Sequence, residues 1–287
     1  MVGQKTHTIQ ELKVIANSMR QDIVKMLVEA GSGHSAGPLG LTDIFVSLYF
    51  NILKHDPDNP DWDQRDILLL SNGHCAPVQY TALAHAGYFD KKELLTLRKF
   101  GSRLQGHPER KKLPGLETTS GPLGCGLGQA IGIALAHRIN DDRHRWIYVV
   151  MGDGEMDEGN VWEAAMLGAK EKLSNVIGII DRNNIQIDGP TEHVMPLEDL
   201  SAKWTAFGWH VIEVNGNNIE DFIDACAMAR AIVEKPVMII AHTVPGEGVD
   251  FMEYDFHWHG KAPDKKQAKE ALHELRTLGG KIKSEHQ

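Results

Sequence analysis

The chain has 287 residues, of which 42% are hydrophobic and 24% are charged, a composition typical of a globular protein with one large domain. Its formal net charge of -9 and its pI near 5.9 argue against a general affinity for nucleic acid or an anionic membrane, because no broad basic surface would attract phosphates. The three cysteines lie far apart, and neither a membrane span nor a signal peptide is recognisable, so we expect reduced thiols and a cytoplasmic protein.

The first predicted element is an amphipathic helix over Ile9–Ala30, whose apolar residues recur three or four positions apart. Four short apolar runs, rich in branched residues, predict buried parallel strands; they cover residues 66–70, 146–151, 176–180 and 237–241. Helical patterns lie between them, including residues 123–138, 159–173 and 219–234. This alternation predicts an α/β fold with a doubly wound, mostly parallel sheet.

After Pro263 the composition shifts to Lys, Glu and Ala with scattered Leu. This shift predicts an exposed helix followed by a frayed basic tail. We therefore expect a main domain over residues 1–263 and a C-terminal helix and tail over residues 264–287.

The polar residues that follow two of the predicted strands indicate a metal site. Doubly wound sheets bind ligands beyond the carboxyl ends of their strands. Asp153 follows one strand between two glycines, and Asn183 follows the next strand about thirty residues later. A carboxylate, an amide oxygen and the carbonyl of Ile185 would suit Mg²⁺, which prefers oxygen ligands and takes the remainder from diphosphate and water. Taken alone, the Gly-Asp-Gly triplet is also compatible with a plain turn.

The paired Gly-Asp-Gly and Asn motif is the signature of thiamine diphosphate enzymes, and further blocks narrow the resemblance. These blocks are Ser32-Gly33-His34, Ser71-Asn72-Gly73-His74, Gly106-His107-Pro108-Glu109, Gly121-Pro122-Leu123-Gly124 and His259-Gly260-Lys261-Ala262-Pro263. They resemble those of the transketolase family and occur in the same order. The similarity extends from about residue 16 to about residue 263 and implies thiamine diphosphate and Mg²⁺ as cofactors.

The resemblance implies roles for individual residues. The diphosphate contacts would come from His74, Gly154, Asn183 and His259. Gly121 and Leu123 would lie along the aminopyrimidine, Ile187 would pack on the cofactor, and Asp153, Asn183 and Ile185 would hold the metal. As catalytic residues it implies His34, His107, His259 and Glu158. The histidines would face the reacting carbons of the sugar, and Glu158 would also act on the cofactor through a link across the dimer to the glutamate that activates the pyrimidine ring.

Simpler interpretations exist for these residues. Any single histidine among the 15 in the chain is more often structural than catalytic. His257 and His259 together would also make half of a metal site, although no further His or Cys cluster at zinc spacing accompanies them.

Transketolases of the family are longer, with a pyrimidine-binding domain after the region matched here, whereas this sequence stops at Gln287. We therefore expect the N-terminal subunit of a split transketolase, which transfers a two-carbon ketol unit from a ketose to an aldose, either of them phosphorylated or not. Its partner would be a C-terminal subunit carrying the pyrimidine-binding domain, in an α2β2 assembly. The alternatives are the α subunit of a 2-oxo acid dehydrogenase, disfavoured by the histidine blocks, and a non-catalytic cofactor-binding subunit.

Overall fold

The computed structural model describes residues 7–140 and 145–284 and has a parallel sheet at its centre. Its strands are β1 (Ile67–Leu70), β2 (Ile147–Gly152), β3 (Val176–Arg182), β6 (His210–Asn215) and β7 (Val237–His242), with a small hairpin of β4 (Ile185–Gln186) and β5 (Gly189–Pro190). The sheet order is β1-β2-β3-β7-β6, and every neighbouring pair is parallel. The doubly wound, mostly parallel α/β fold expected from the sequence is confirmed.

Helices cover both faces of this sheet. They are α1 (Ile9–Ala30), α2 (Ala36–Gly40), α3 (Thr42–Ser47), α4 (Ala76–Ala86), α5 (Cys125–Ile139), α6 (Gly159–Lys170), α7 (Thr191–Val194), α8 (Leu200–Ala206), α9 (Ile219–Ala231) and α10 (Lys265–Ser284). Alternate strand residues enter two separate cores: Leu68 and Val150 pack with α1, α3, α4 and α9, while Leu69 and Val149 pack with α5, α6 and α8. The strands are therefore buried on both sides, as their continuous apolar sequences predict.

The first helix has the predicted bounds because its two ends are fixed locally. Thr8 and Glu11 form a reciprocal capping box at its start, and Gly31 adopts a left-handed conformation with φ of 64° at its end.

Two features differ from the sequence predictions. Strand β6, whose residues are half-buried or exposed at the edge of the sheet, was not predicted, because its polar residues interrupt the apolar run. The C-terminal helix α10 is present, but it is not exposed on all sides: Ala268, Ala271 and Leu275 are buried in the same core as α1. Residues 285–287 of the predicted tail lie outside the described residues.

Within the part of the chain that the structure describes, no helix is both long and apolar enough to cross a membrane.

Candidate active site

A cleft of about 360 Å³ opens beyond the carboxyl ends of β2 and β3. It is lined by His34, Asn72, His74, His107, Gly121, Leu123, Gly152, Asp153, Gly154, Glu155, Asp181, Asn183, Ile185, Gln186, Ile187, Asp188 and His259. Every site residue predicted from the sequence lies in this lining except Glu158. Segments far apart in the sequence therefore meet in one space, although their roles remain predictions.

The register of the sheet brings the two metal-binding candidates to the same level. Gly152 at the end of β2 lies opposite Asp181 in β3, and the Asp153 N–H donates to the Asp181 carbonyl over 3.2 Å. At Gly154 an added Cβ would lie only 2.8 Å from the Gln186 side chain, so glycine allows the β4–β5 hairpin to close against the turn after β2.

The Asp153 carboxylate is buried and held by a dense set of donors. One oxygen accepts the Gly154 N–H at 2.7 Å; the other accepts the Asn184 N–H at 2.7 Å, the Arg182 guanidinium at 3.1 Å and the Thr191 hydroxyl at 3.3 Å. Burial raises the pKa of this carboxyl, and Arg182 is the main influence opposing the rise. The side chain is thus fixed before any ligand binds.

Asn183 is oriented by its own hydrogen bonds. Its amide nitrogen donates to Asp181 at 2.8 Å, which leaves the amide oxygen on the side of the Ile185 N–H, at 3.0 Å. Asp181 also accepts the Thr243 hydroxyl at 2.5 Å. Burial, followed by the nearby Asp153 charge, raises the pKa of Asp181 to about 7. The amide therefore presents an oxygen rather than an N–H group toward the metal-binding candidates.

These groups fit Mg²⁺ in their chemistry. Asp153, Asn183 and the Ile185 carbonyl offer only oxygen atoms, the ligand type that a hard cation requires. Among the described residues no group of three or more His, Cys, Asp and Glu side chains is placed to hold a metal ion. A single-carboxylate site completed by amide and carbonyl oxygens differs from such a cluster and suits a cation that also binds phosphate oxygens.

Part of the wall of the cleft is built from imidazoles. The ring centroids of His34 and His74 are 4.9 Å apart, those of His74 and His259 5.1 Å, and those of His34 and His259 5.6 Å. Burial is the largest influence on all three and lowers the pKa of His34 to about 4, that of His74 well below its usual value, and that of His259 in the same direction. The rings are therefore neutral near pH 7, and each can donate at one nitrogen and accept at the other.

Several buried polar atoms in the lining of the cleft lack a partner among the described residues. They are Nδ1 of His34, Nδ1 of His259 and both side-chain polar atoms of Asn72. Buried polar groups in proteins are almost always hydrogen-bonded, so this concentration indicates a polar ligand. The donors and acceptors left free here fit a ligand that carries phosphate, amine or hydroxyl groups.

Glu155 is a residue that the sequence analysis missed. Its carboxylate is 2% exposed and accepts the Gly124 N–H at 2.6 Å, the Gly152 N–H at 3.0 Å and the Ser71 hydroxyl. Burial raises its pKa. It joins the loops after β1 and β2 to the start of α5, and the signal for it was its place directly after the Gly-Asp-Gly triplet.

Arg182 is a second residue beside the cleft for which the sequence predicted no role. Its side chain is 3% exposed and contacts Glu192 and Glu198 at 2.7 Å each, as well as Asp153. The guanidinium therefore links the proposed metal ligand to the segment that follows the β4–β5 hairpin.

Glu158 and His257 both lie outside the lining of the cleft. Glu158 is exposed at the start of α6 and does not line the cleft. His257 is exposed and pairs with Asp255 at 2.6 Å. His259 therefore belongs to the imidazole wall, whereas His257 does not.

Glycine-rich turns at the carboxyl end of a parallel sheet, with clustered carboxylate and amide oxygens and a wall of neutral imidazoles, are typical of a cofactor-binding α/β domain. The family model described as "Transketolase, thiamine diphosphate binding domain" matches residues 11–279, so the chain belongs to this family. The thiamine diphosphate-binding character of the domain follows from that membership.

Two curated relatives match this chain over nearly their whole length, and a third matches it over less than half of its own. An apulose-4-phosphate transketolase subunit from Phocaeicola vulgatus is 38% identical over 97% of this chain and 98% of its own length. A 6-deoxy-6-sulfo-D-fructose transketolase subunit from Clostridium sp. is 39% identical over 94% of this chain and 98% of its own. Human transketolase is 34% identical over 93% of this chain but only 42% of its own length.

Solved transketolases share the fold. The enzyme of Leishmania mexicana superposes with a TM-score of 0.83 at 31% identity, and a variant of the Pichia stipitis enzyme with a TM-score of 0.85 at 28% identity. These alignments cover 98% and 97% of this chain, which spans less than half, 46%, of each solved chain.

Proposed function

We propose that the chain is the cofactor-binding subunit of a thiamine diphosphate-dependent transketolase, which transfers a two-carbon ketol unit from a ketose to an aldose. The observation that carries this proposal is the meeting of an oxygen-only metal set and four histidines in one cleft of about 360 Å³. Family membership supports the cofactor, and the histidine wall supports sugar chemistry.

At the metal end, Asp153, Asn183 and the Ile185 carbonyl would hold Mg²⁺, and the cation would neutralise the diphosphate. His74, Gly154, Asn183 and His259 would bind the diphosphate oxygens. The Nδ1 atom of His259, buried without a partner in the described ranges, supports such a contact.

When bound, thiamine diphosphate supplies an electron sink for cleavage of the bond beside a carbonyl. Gly121, Leu123 and Ile187 would contact its organic part. Ile187 is 65% exposed although it is a large apolar side chain at the mouth of the cleft, and a bound cofactor would cover it.

At the sugar end, His34, His107 and His259 would orient hydroxyl groups and move protons at their oxygen atoms. This role requires neutral imidazoles, because only a neutral ring accepts a proton from a hydroxyl. The lowered pKa values of the three rings meet that requirement.

The proposal includes a second polypeptide. Relatives named as transketolase subunits match this chain over nearly their whole length, which supports a split enzyme. The partner would be the C-terminal subunit with the pyrimidine-binding domain, in an α2β2 assembly. Glu158, exposed beside the cleft-forming turn, would link across the interface to the glutamate that activates the pyrimidine ring.

The substrates would be sugars or sugar phosphates. The relatives' names include a phosphorylated and a sulfonated sugar, so the class extends beyond the common pentose phosphates. The family match gives no support to a 2-oxo acid dehydrogenase.

The test is a steady-state assay with xylulose 5-phosphate and ribose 5-phosphate, repeated with apulose 4-phosphate and with 6-deoxy-6-sulfofructose as donors. The chain is measured alone, with the separately expressed C-terminal subunit, and with that subunit plus the Asp153→Ala variant as the matched control. We expect turnover of at least one donor in the wild-type mixture only. Strong activity of the chain alone would contradict the split-enzyme proposal, and a mixture inactive on every ketose would contradict the transferase.

A further inference from the structure

Arg98 lies against the two turns that carry His34 and His107. An added Cβ on Gly106 would be 3.1 Å from the Arg98 guanidinium carbon, and one on Gly33 would be 3.7 Å from its Nε atom. Each of these glycines directly precedes one of the histidines. The missing Cβ of Gly106 thus makes room for the guanidinium, which also lies within van der Waals distance of the Gly33 turn.

The backbone of Arg98 adopts a strained conformation. Its φ of 58° is left-handed, a conformation that non-glycine residues rarely adopt. Its N–H donates to the Leu104 carbonyl at 2.9 Å, which closes the loop that returns the chain to Gly106. A strained conformation is retained when the surrounding structure requires it, and here it accompanies a cation held against the Gly106 turn.

The charge of Arg98 is uncompensated, in contrast to its neighbours. Lys99 pairs with Glu29 at 2.5 Å, and Arg103 pairs with Glu93 at 2.8 Å. Across residues 7–140 and 145–284, no carboxylate lies within ion-pair distance of the Arg98 guanidinium. Its field therefore acts on the imidazoles without local neutralisation.

We propose that Arg98 is a positioning residue whose fixed positive charge adds to the effect of burial in disfavouring protonation of the imidazoles of His34 and His107, which leaves them ready to accept protons from sugar hydroxyls. The catalytic part of this inference rests on the proposed function; the electrostatic part does not. The role suits a guanidinium, which stays charged at every physiological pH.

The charged groups around the two rings agree with this assignment. For His34, burial lowers the pKa most, followed by His259, Arg98 and His107, with the His74 ring also adjacent. For His107, burial is the first cause of the lowered pKa and Arg98 is the second. Arg98 is the only permanent charge among these groups. Its removal should therefore raise both pKa values, so that protonation begins at a higher pH.

The experiment compares Arg98→Met, Arg98→Lys and, as a matched control, Arg103→Met, which removes a paired cation from the same segment. The imidazole pKa of His107 is measured by NMR in the complex with the partner subunit, without turnover. We expect a rise of about half a unit or more in Arg98→Met, and none in the control or in Arg98→Lys. In the assay, the acid limb of kcat/KM should move to higher pH by the same amount, while cofactor affinity stays within about twofold.

An unchanged His107 titration in Arg98→Met overturns the inference. So does equal behaviour of the Lys and Met variants, because the role would then belong to the shape of arginine rather than its charge. If Arg98→Met does not fold, Arg98→Gln takes its place in the titration, and an unchanged His107 pKa in that variant would overturn the inference. The titration needs no substrate, so its result is separate from failure of the transferase proposal.

Discussion

The two ends of the cleft are built in opposite ways. At the metal end, the oxygens of Asp153 and Asn183 are held by backbone and side-chain donors from the chain itself. At the histidine end, the rings are packed together, but buried Nδ1 atoms of His34 and His259 have no partner in the described residues. The metal end is fixed in advance, whereas the histidine end keeps its hydrogen-bonding capacity for a ligand.

This contrast separates two kinds of site. A cation needs ligands whose positions are set beforehand, since small errors in oxygen position weaken binding to Mg²⁺. A sugar presents several hydroxyls, which require donors and acceptors that are not already engaged. Substitutions at the two ends should therefore affect different measurable quantities.

The largest effect is expected for Asp153→Ala at the metal end. It removes the only charged ligand of the proposed metal set, and cofactor affinity in the presence of Mg²⁺ should fall more than about 100-fold, because even outer partners of metal ligands are commonly worth 10- to 100-fold. Calorimetry on the assembled enzyme measures this, with Asp157→Ala as the exposed control in the same turn. Wild-type affinity in the variant would refute the metal assignment.

At the histidine end, His107→Ala should lower kcat about 100-fold while changing cofactor affinity less than about threefold, because the ring would act on the sugar. Single-turnover and steady-state assays with a ketose donor, together with a cofactor titration, separate the two quantities. His257→Ala, an exposed histidine paired with Asp255, serves as the control. Equal losses in turnover and cofactor affinity would remove His107 from the sugar end.

A third prediction concerns pH and the buried Asp181. Its folded-state pKa of about 7 lies above the usual value of 3.8, so its contribution to stability is complete below about pH 4 and is lost as the pH rises through about 7. Without cofactor, the free energy of unfolding should therefore fall by about 2 kcal/mol between pH 5 and 8 on this account.

Urea denaturation at several pH values measures this effect, and Asp181→Asn should show a flatter profile. Asp181 lies beneath the metal end, so added Mg²⁺ and cofactor should oppose the loss. Identical profiles for the wild type and the variant would show that other groups control the pH dependence.

The smallest effect on the chain itself is expected for Glu158→Ala. The residue is exposed outside both ends of the cleft, so the Tm of the isolated chain should change by less than about 1 °C. Association with the partner subunit, measured by sedimentation, should nevertheless weaken, whereas Glu163→Ala on the same helix should not weaken it. Unchanged assembly in both variants would argue against the cross-subunit link.

The fold was largely predictable because buried parallel strands carry continuous apolar sequence. All four predicted strands are present within about two residues at each end, and α1 is matched throughout. The edge strand β6 escaped because only one neighbour, β7, pairs with it, and its polar residues interrupt the apolar run. The predicted helix over 159–173 ends earlier, at Lys170, shortly before Lys172 adopts a φ of 49°.

The site residues were predictable where they belong to a short sequence motif. Asp153 and Asn183 stand in such motifs, and the structure brings them to one sheet edge. The role of Glu155 was not predicted, because it depends on contacts with Ser71 and Gly124, which are 84 and 31 residues away in the sequence. No local sequence pattern encodes those contacts. The role of Arg98 was not predicted for the same reason. Its position beside Gly33 and Gly106 depends on the loop that is closed by the hydrogen bond from Arg98 to Leu104.

The order of strands in the sheet also determines when the metal end and the histidine end of the cleft can form during synthesis. Ile67 in β1 pairs with Ile147, some 80 residues further on, so the sheet cannot begin to assemble until β2 has left the ribosome. Once β3 follows, Asp153 and Asn183 can meet, whereas His259 arrives only after β7 has paired with the far side of β3. Such distant pairings slow folding because long loops must close first. A chain truncated after about residue 200 and released from the ribosome would therefore carry the metal end without the complete histidine wall.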